Sequence, residues 1–202
     1  MNKIILPGEK VSDKPEQMPG TYIHDGKTYA DVISLYDEEG KKSVPLEGMY
    51  LPRAEDYIVG VVCDVRFAGY NINIAPSFNA FLSGRESRDK FELGDVVFAK
   101  IAEVDEVNSV ALTDARRLTG GKMIEVSPVK IPRVIGKKNS MVNMIIDSTK
   151  SEVYIGRNGR IWMSGGDIEL TVRAIQKVEQ EAHVSGLTDR VKKFLEDEAE
   201  SE

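Results

Sequence analysis

Between Tyr57 and Thr113 the chain falls into five short apolar runs separated by turn residues, a spacing too tight for helices and suited to strands. The runs are Ile58–Phe67, Gly69–Ile74, Phe78–Leu82, Val96–Val104 and Ser109–Thr113, and the second alternates with a period of two. A charged connection through Arg85, Glu86, Arg88 and Asp89 separates the third run from the fourth. Five strands in about 55 residues fit a small five-stranded barrel.

The flanking segments follow other patterns. Upstream, turn signals at Pro7-Gly8, Pro19-Gly20, Asp25-Gly26, Glu39-Gly40 and Glu47-Gly48 interrupt short apolar runs, and Tyr29–Tyr36 and Lys42–Leu46 are expected as hairpin arms. No 3.6-residue period persists there, so a small all-β domain is expected over residues 1–53, with Pro52, Glu55 and Asp56 marking a linker. Beyond Gly120-Gly121 the pattern turns mixed. Lys122–Val126 reads as a strand, Ile131–Ile135 as a helical turn, and Ser140–Lys150 as a helix with Met141, Val142, Met144, Ile145 and Ile146 on one broad face. Strands at Glu152–Ile155 and Arg160–Met163 follow, then a long helix capped by Asp167 and ended by Gly186, giving the order βααββα. A last short helix from about Thr188 carries Val191, Phe194 and Leu195 and is expected to fray into a mobile acidic tail.

Charge is unevenly distributed. The 202 residues include 27 Lys and Arg against 33 Asp and Glu, a net −6. Residues 54–113 carry −5 and residues 163–202 another −5, whereas residues 114–140 carry +5 from seven cations against two anions. A solvated face accounts for such a basic band; so does attraction for a polyanion, since the relevant field lies within about 8 Å at physiological salt.

Several function classes drop out. Cys63 stands alone, which excludes an intrachain disulfide, and with only His24 and His183 beside it there is no Cys/His set for zinc. No run approaches the roughly 18 apolar residues of a membrane helix. The apolar run within Met1–Gly8 is too short, and broken by Pro7, to act as a secretory signal, so a cytoplasmic protein without membrane contact is expected. Gly120-Gly121-Lys122-Met123 fails as a phosphate-binding loop, because Arg116 and Met123 stand where glycine and Ser or Thr are required. Asp64, Asp95 and Asp105 are spread over different strands and turns, and neither histidine has a neighbour that makes it a base for a nucleophile. No catalytic residue, metal or cofactor is expected.

The motifs point to nucleic acid. Val134-Ile135-Gly136-Lys137-Lys138-Asn139-Ser140-Met141, between the short helix and the longer one, resembles the KH signature, whose G-x-x-G loop lets an RNA backbone approach while cations and helix-end amides meet the phosphates. Asn139 replaces the second glycine; it tolerates the left-handed conformation but adds bulk. Gly136, Lys137, Lys138 and Asn139 therefore form either an RNA clamp or a purely structural turn. Gly60–Ile74, with Gly94–Asp105 and Val110–Thr113, resembles the OB-type RNA-binding domain first named from a ribosomal small-subunit protein. In that class, aromatic rings on one barrel face stack on bases while cations follow the backbone. Phe67, Tyr70, Phe78 and Phe81 are the candidate rings and Arg66, Arg85, Arg88 and Lys100 the candidate cations. Core packing competes for each ring, and two exposed rings suffice. A third motif, Gly156–Trp162, places Arg157 and Arg160 around Asn158-Gly159, a dipeptide explained by hairpin geometry. Arg116, Arg117, Lys122, Lys130 and Arg133 complete the basic band with Lys137 and Lys138.

Taken in order, the β domain with Leu6-Pro7-Gly8, the OB-type domain, and the KH domain with Ile135–Lys138 and Gly156–Gly159 resemble the cap subunit of the archaeal RNA exosome that pairs an OB domain with a KH domain. The resemblance spans nearly the whole chain, short of the acidic tail. It implies a mainly β plus α/β fold: a small N-terminal β domain (1–53) that docks on a ring, a five-stranded OB barrel (54–118), a C-terminal KH domain (119–187), and a short helix and acidic tail (188–202). It further implies a non-catalytic subunit, three copies of which sit on a hexameric ribonuclease-PH-like ring, alone or mixed with a sister cap protein that bears a zinc ribbon. That cap recruits single-stranded, adenine-rich RNA and passes its 3′ end to the ring for 3′-to-5′ degradation. The competing expectations are a free-standing OB/KH RNA-binding protein acting in translation or RNA chaperoning, and an assembly protein that braces the ring.

Overall fold

The structure, a computed structural model, describes residues 2–199 apart from Glu39, Ser77, Glu86, Arg88, Val107, Asn108, His183 and Ser185. The candidate cation Arg88, His183 and the last three residues of the acidic tail thus lie outside the described residues. Two compact units are formed, Met1–Met49 and Tyr50–Glu202.

The first unit is all β. Strands β1 (Asn2–Ile5), β2 (Lys10–Ser12), β3 (Thr21–His24), β4 (Lys27–Ala30), β5 (Ser34–Asp37) and β6 (Lys42–Pro45) make two three-stranded antiparallel sheets, ordered β1-β5-β6 and β2-β4-β3. Asp25 and Gly26 take φ of 48° and 71°, and His24 pairs with Lys27 across this two-residue turn, whose twist matches that of the strands. The expected arm Tyr29–Tyr36 is instead two strands in different sheets. The chain leaves one sheet at Asp31, whose amide donates to the Gly20 carbonyl at 2.9 Å, and enters the other at Ser34. Buried Thr28 ties the segment before β3 to β4: its hydroxyl donates to the Lys14 carbonyl at 2.7 Å and accepts from the Glu16 amide at 2.8 Å.

The second unit opens with a closed barrel. Strands β7 (Tyr57–Arg66), β8 (Gly69–Ala75), β9 (Phe78–Ser83), β10 (Val96–Val104) and β11 (Val110–Leu118) close in the order β10-β11-β9-β8-β7, with β11 parallel to β9 and the other pairs antiparallel. Ile58, Val62, Ile72, Ile74, Leu82, Val97, Ala99, Ile101 and Leu112 fill the interior, joined by Tyr50 and Phe91 from the flanking segments. Gly60 takes the inward place between Ile58 and Val62, where a Cβ would lie 2.4 Å from a methyl of Ile72. Strand β11 runs five residues beyond the expected Thr113. Thr113 pairs with Lys100 and Arg116 with Phe98, so Asp114 and Ala115 together oppose Ala99 in a β-bulge. The polar run Thr-Asp-Ala-Arg-Arg carries no apolar alternation, which is why a hydrophobicity pattern stops short of it.

The KH domain follows: β12 (Lys122–Glu125), a 3₁₀ turn at Pro128–Lys130, α1 (Ile131–Ile135), a second 3₁₀ turn at Lys137–Asn139, α2 (Ser140–Thr149), β13 (Glu152–Ile155), β14 (Arg160–Ser164), α3 (Ile168–Glu181) and α4 (Leu187–Ala199). The sheet is antiparallel, ordered β12-β14-β13. Asp167 caps α3 by accepting the Leu170 amide at 2.9 Å. Helix α4 runs on past Leu195, where fraying is expected, to Ala199; Leu187, Val191 and Leu195 enter the same core as Ile131, Val134, Ile145 and Ile175. Glu196–Glu198 of the acidic tail are thereby helical.

An apolar contact and a polar lock join this domain to the barrel. Val59, Leu118 and Trp162 are buried together, with Val96, Phe98, Met123 and Tyr154 around them. The β13–β14 loop, residues 156–159, supplies the lock. The loop has the expected bounds, Gly156–Gly159, and closes with the Gly156 amide donating to the Arg160 carbonyl at 2.8 Å; within it Gly159 alone has positive φ, 88°, so hairpin geometry does not account for Asn158. Asn158 instead turns its side chain into the barrel. Its Nδ2 donates to the Val59 and Ile74 carbonyls at 2.7 and 2.6 Å, and its Oδ1 accepts from the Val59 amide at 3.3 Å. Arg160 adds bonds to the Asn73 carbonyl (2.8 Å), Asn73 Oδ1 (2.9 Å) and the Glu125 carboxylate (2.9 Å).

Asn158→Ala leaves two barrel carbonyls and an amide without their partner. The expected outcome in urea denaturation is a loss of at least about 3 kcal/mol, since each of the three orphaned buried polar groups costs roughly 1–3 kcal/mol. The neighbouring exposed Arg157→Ala is expected to stay within about 0.5 kcal/mol of the wild type. Tyr50 offers a pH-dependent check. Its hydroxyl donates to Asp56 at 2.9 Å, and burial, then the Asp56 charge, raises the phenol well above its ordinary range. Above pH about 10 the unfolded chain releases this proton while the folded chain keeps it, so stability falls as pH rises. Tyr50→Phe is expected to lose about 1 kcal/mol at neutral pH and to flatten the alkaline limb of the stability curve.

Candidate nucleic-acid interface

The loop between α1 and α2 has an unusual backbone. Gly136 sits at φ 75°, Lys138 at 53° and Asn139 at 63°, so three of its four residues are on the positive side. Glycine is required at 136, because a Cβ there would lie 2.7 Å from the Met141 amide nitrogen. Asn139 holds the left-handed conformation without glycine. Lys137, Lys138 and Asn139 are exposed, and Asn139 makes no side-chain cap on α2. The loop thus presents two ammonium groups beside a helix start, an arrangement suited to phosphate.

A second group gathers at one end of the barrel. The β7–β8 turn carries Arg66 and Phe67, and Phe67 is fully exposed. The β9 end lies against it: Gly69 pairs with Ser83, the Gly84 amide donates to the Ala68 carbonyl at 3.0 Å, and Phe81 lies against Gly69 with its ring partly exposed. Arg85 follows, exposed. Arg66 bonds Asp64 at 2.6 Å, which holds that carboxyl below the usual range. Tyr70 and Phe78 face the other way and pack on the barrel core, Tyr70 edge-on to Phe91 at 5.2 Å. Two of the four candidate rings are therefore open to solvent.

The remaining candidates lie elsewhere. Lys100 stands opposite Tyr57 at the start of β7, up to about 30 Å of strand from Arg66. It pairs with Glu55 at 2.6 Å, a bond that raises its pKa. Arg117 occupies the place opposite Val97, bonded to Asp95 at 2.6 Å and to the Lys90 carbonyl, with its guanidinium 5.9 Å from the Phe91 ring centre. Arg160 is nearly buried and its guanidinium is committed to Glu125 and Asn73, so the structure makes it a brace between KH sheet and barrel. Arg157 is exposed, its amide donating to the Tyr57 carbonyl at 2.8 Å. Arg116 donates to the Tyr154 hydroxyl at 2.9 Å.

Arg116 and Tyr154 border a cleft of about 680 Å³ at the junction of barrel and KH domain, lined also by Tyr57, Phe98, Asp89, Asp114 and Ala115. Tyr57 stacks on Phe98 (5.3 Å between centres, 7° between planes), and Phe98 meets Tyr154 at 4.9 Å. Sequence reasoning picked out Arg116 here but none of the three rings. An available signal was Phe98 at an outward place of an otherwise alternating strand. Among the described residues no group of three or more His, Cys, Asp or Glu side chains is placed to hold a metal ion.

Comparison with known proteins agrees with this architecture. Residues 121–169 match the KH-domain family. The chain is 39% identical over 209 residues to the exosome complex component Rrp4 of Methanothermus fervidus, covering 95% of this chain and 94% of that one. It is 35% identical over 217 residues to the component of that name from Pyrococcus furiosus, covering 96% and 82%. A crystal structure provisionally described as an exosome complex RNA-binding protein superposes with a TM-score of 0.67 at 31% identity, covering 76% of this chain and 98% of the other. With the β domain, the barrel and the KH domain in that order over the matched length, the chain belongs to the exosome complex component Rrp4 family.

Proposed function

We propose that this protein is a non-catalytic, RNA-binding cap subunit of an exosome. It binds single-stranded, adenine-rich RNA and passes the 3′ end to a hexameric ribonuclease-PH-like ring, which does the phosphorolysis. Three copies, alone or mixed with the zinc-ribbon cap protein, surround the ring's entrance, with the N-terminal domain (1–53) docking and the barrel (54–118) and KH domain (119–187) taking RNA. The observation that carries this reading is the family match along nearly the whole chain. Exposed Phe67 and Phe81 beside Arg66 and Arg85, and the Lys137-Lys138 loop, support it with the ring-and-cation chemistry that single strands require. Among the described residues no helix is long and apolar enough to cross a membrane, and we assign the protein to the cytoplasm with its RNA substrates.

Mixing the protein with a ribonuclease-PH-like ring tests the assignment, read by native mass and by phosphate-dependent decay of an RNA with a 3′ oligo(A) tail. A stable complex with faster decay is expected; a protein that stays at 22.4 kDa would favour a free-standing RNA-binding role. Replacing Lys137 and Lys138 together by Ala is expected to make the log–log salt dependence of RNA affinity shallower by about 1.4, at about 0.7 per phosphate released. An unchanged slope would take the loop out of the binding surface. Phe67→Ala is expected to weaken binding by roughly 1–3 kcal/mol at an unchanged urea midpoint.

A further inference from the structure

The cleft between barrel and KH domain lies away from the Phe67 end of the barrel, and the candidate RNA contacts above use only Arg116 from it. Its aromatic stack is open at one side: Tyr57, the outer ring of the Tyr57–Phe98 pair, is 47% exposed. A flat ring stacked on another and open to water is a platform for a further flat ring. The volume of about 680 Å³ falls within the range of clefts that enclose small planar ligands.

The polar groups around that platform are of both kinds. Arg116 is oriented by its bond to Tyr154 Oη, which in turn donates to Glu152 at 2.8 Å. Its remaining guanidinium N–H groups have no partner among the described residues, and they are donors. Asp114 is the acceptor. It occupies the β-bulge at φ 51°, a left-handed backbone that few side chains adopt, and its carboxylate has neither hydrogen bond nor ion pair among the described residues. Lys100 is near enough for the Asp114 charge to contribute to its raised pKa, but the carboxylate it bonds is that of Glu55, at 2.6 Å. Asp89 adds a second carboxylate to the lining.

We infer that this cleft holds one base of single-stranded RNA, stacked on the Tyr57–Phe98 platform, and that Asp114 and Arg116 select a base bearing an exocyclic amine over uracil. The inference rests on the RNA-binding reading above and deepens it. Two carboxylates disfavour a phosphate in the cleft, so the base edge and not the backbone enters. The Asp114 carboxylate accepts an amine N–H, and Arg116 donates to the ring nitrogen or carbonyl beside it. Cytosine, adenine and guanine each present such a donor next to such an acceptor. Uracil offers one N–H between two carbonyls, so a carboxylate that accepts from it meets a carbonyl oxygen on each side, of which Arg116 offsets only one, whereas the cytosine amine has an acceptor on one side and a C–H on the other. A basic side chain from a protein would suit the rings and carboxylates but would be repelled by Arg116.

Equilibrium binding of oligo(C) and oligo(U) to the full chain tests this, because the two bases have rings of the same size and differ where the amine replaces a carbonyl. The wild type is expected to favour oligo(C) about ten-fold. Asp114→Asn keeps a residue that tolerates the left-handed backbone while adding a donor, so the C-to-U ratio is expected to fall toward one. The ratio cancels the general gain in affinity from losing a negative charge. Tyr57→Ala is expected to weaken both oligomers about ten-fold or more, with a urea midpoint somewhat lowered by loss of the Phe98 stack but the chain fully folded under the binding conditions. If both RNAs bind and neither variant changes affinity or ratio, the cleft is not a base site and the RNA-binding reading stands without it. If neither RNA binds the wild type at low salt, that reading falls and the inference with it. Tyr57→Ala abolishing capture of a deca-lysine peptide while both RNAs bind unchanged would overturn the inference in favour of a basic protein segment.

Discussion

The side chain of Asn158 reaches out of the KH hairpin into the backbone of two barrel strands, and the geometry of the second unit depends on it. The ladder between β7 and β8 runs from Arg66–Gly69 to Val61–Asn73 and then stops, so Val59 and Ile74 are not paired with each other. Buried backbone groups left without partners are costly, and one amide that donates twice and accepts once answers three of them. The loop around it is built for that approach. A Cβ at Gly156 would lie 2.1 Å from Asn158 Oδ1 and 2.6 Å from the Val59 nitrogen, so the closest point of loop and barrel admits no side chain.

Once that lock is in place, the rest of the junction follows. Trp162 is carried onto Val59 and Leu118, and Tyr154 onto Phe98. Tyr57 stacks on the outer side of Phe98, which turns an aromatic row shared by two domains into the wall of a cleft. The bulge at Asp114–Ala115 shifts the alternation of β11 by one residue, so that Arg116 falls beside Phe98. Two domains with cores of their own thus share a surface that neither possesses alone.

The electrostatics work at the same short range. A chain of net charge −6 draws a polyanion only where cations are local and anions near them are already paired. At the barrel tip Asp64 is held by Arg66, and at the other end Glu55 is held by Lys100. The KH loop carries Lys137 and Lys138 with no side-chain cap competing at the start of α2. A basic band that is continuous in sequence is divided in space, with Arg117 turned to Asp95 and Phe91 while Arg116 meets Tyr154.

What the sequence determined by itself is whatever depends on neighbours along the chain. Apolar periodicity, caps and turn chemistry marked the five strands, the βααββα order, the Asp167 cap and the Gly136–Asn139 turn between two helices, because each is a property of a few consecutive residues. It also named Phe67 a candidate ring, though as the last residue of a strand; the structure ends that strand at Arg66 and leaves the ring in the turn. Only the tertiary structure decided the uses of side chains whose partners lie far along the chain. Asn158 reads as a turn residue until Val59, 99 positions away, is beside it. Arg160 reads as an exposed cation until Asn73 takes its guanidinium, and Tyr57, Phe98 and Tyr154 read as separate aromatics until two domains press them into one row. Periodicity reports which face of an element is apolar, but not which other element will cover it, and that contact alone separates a buried brace from an open binding surface.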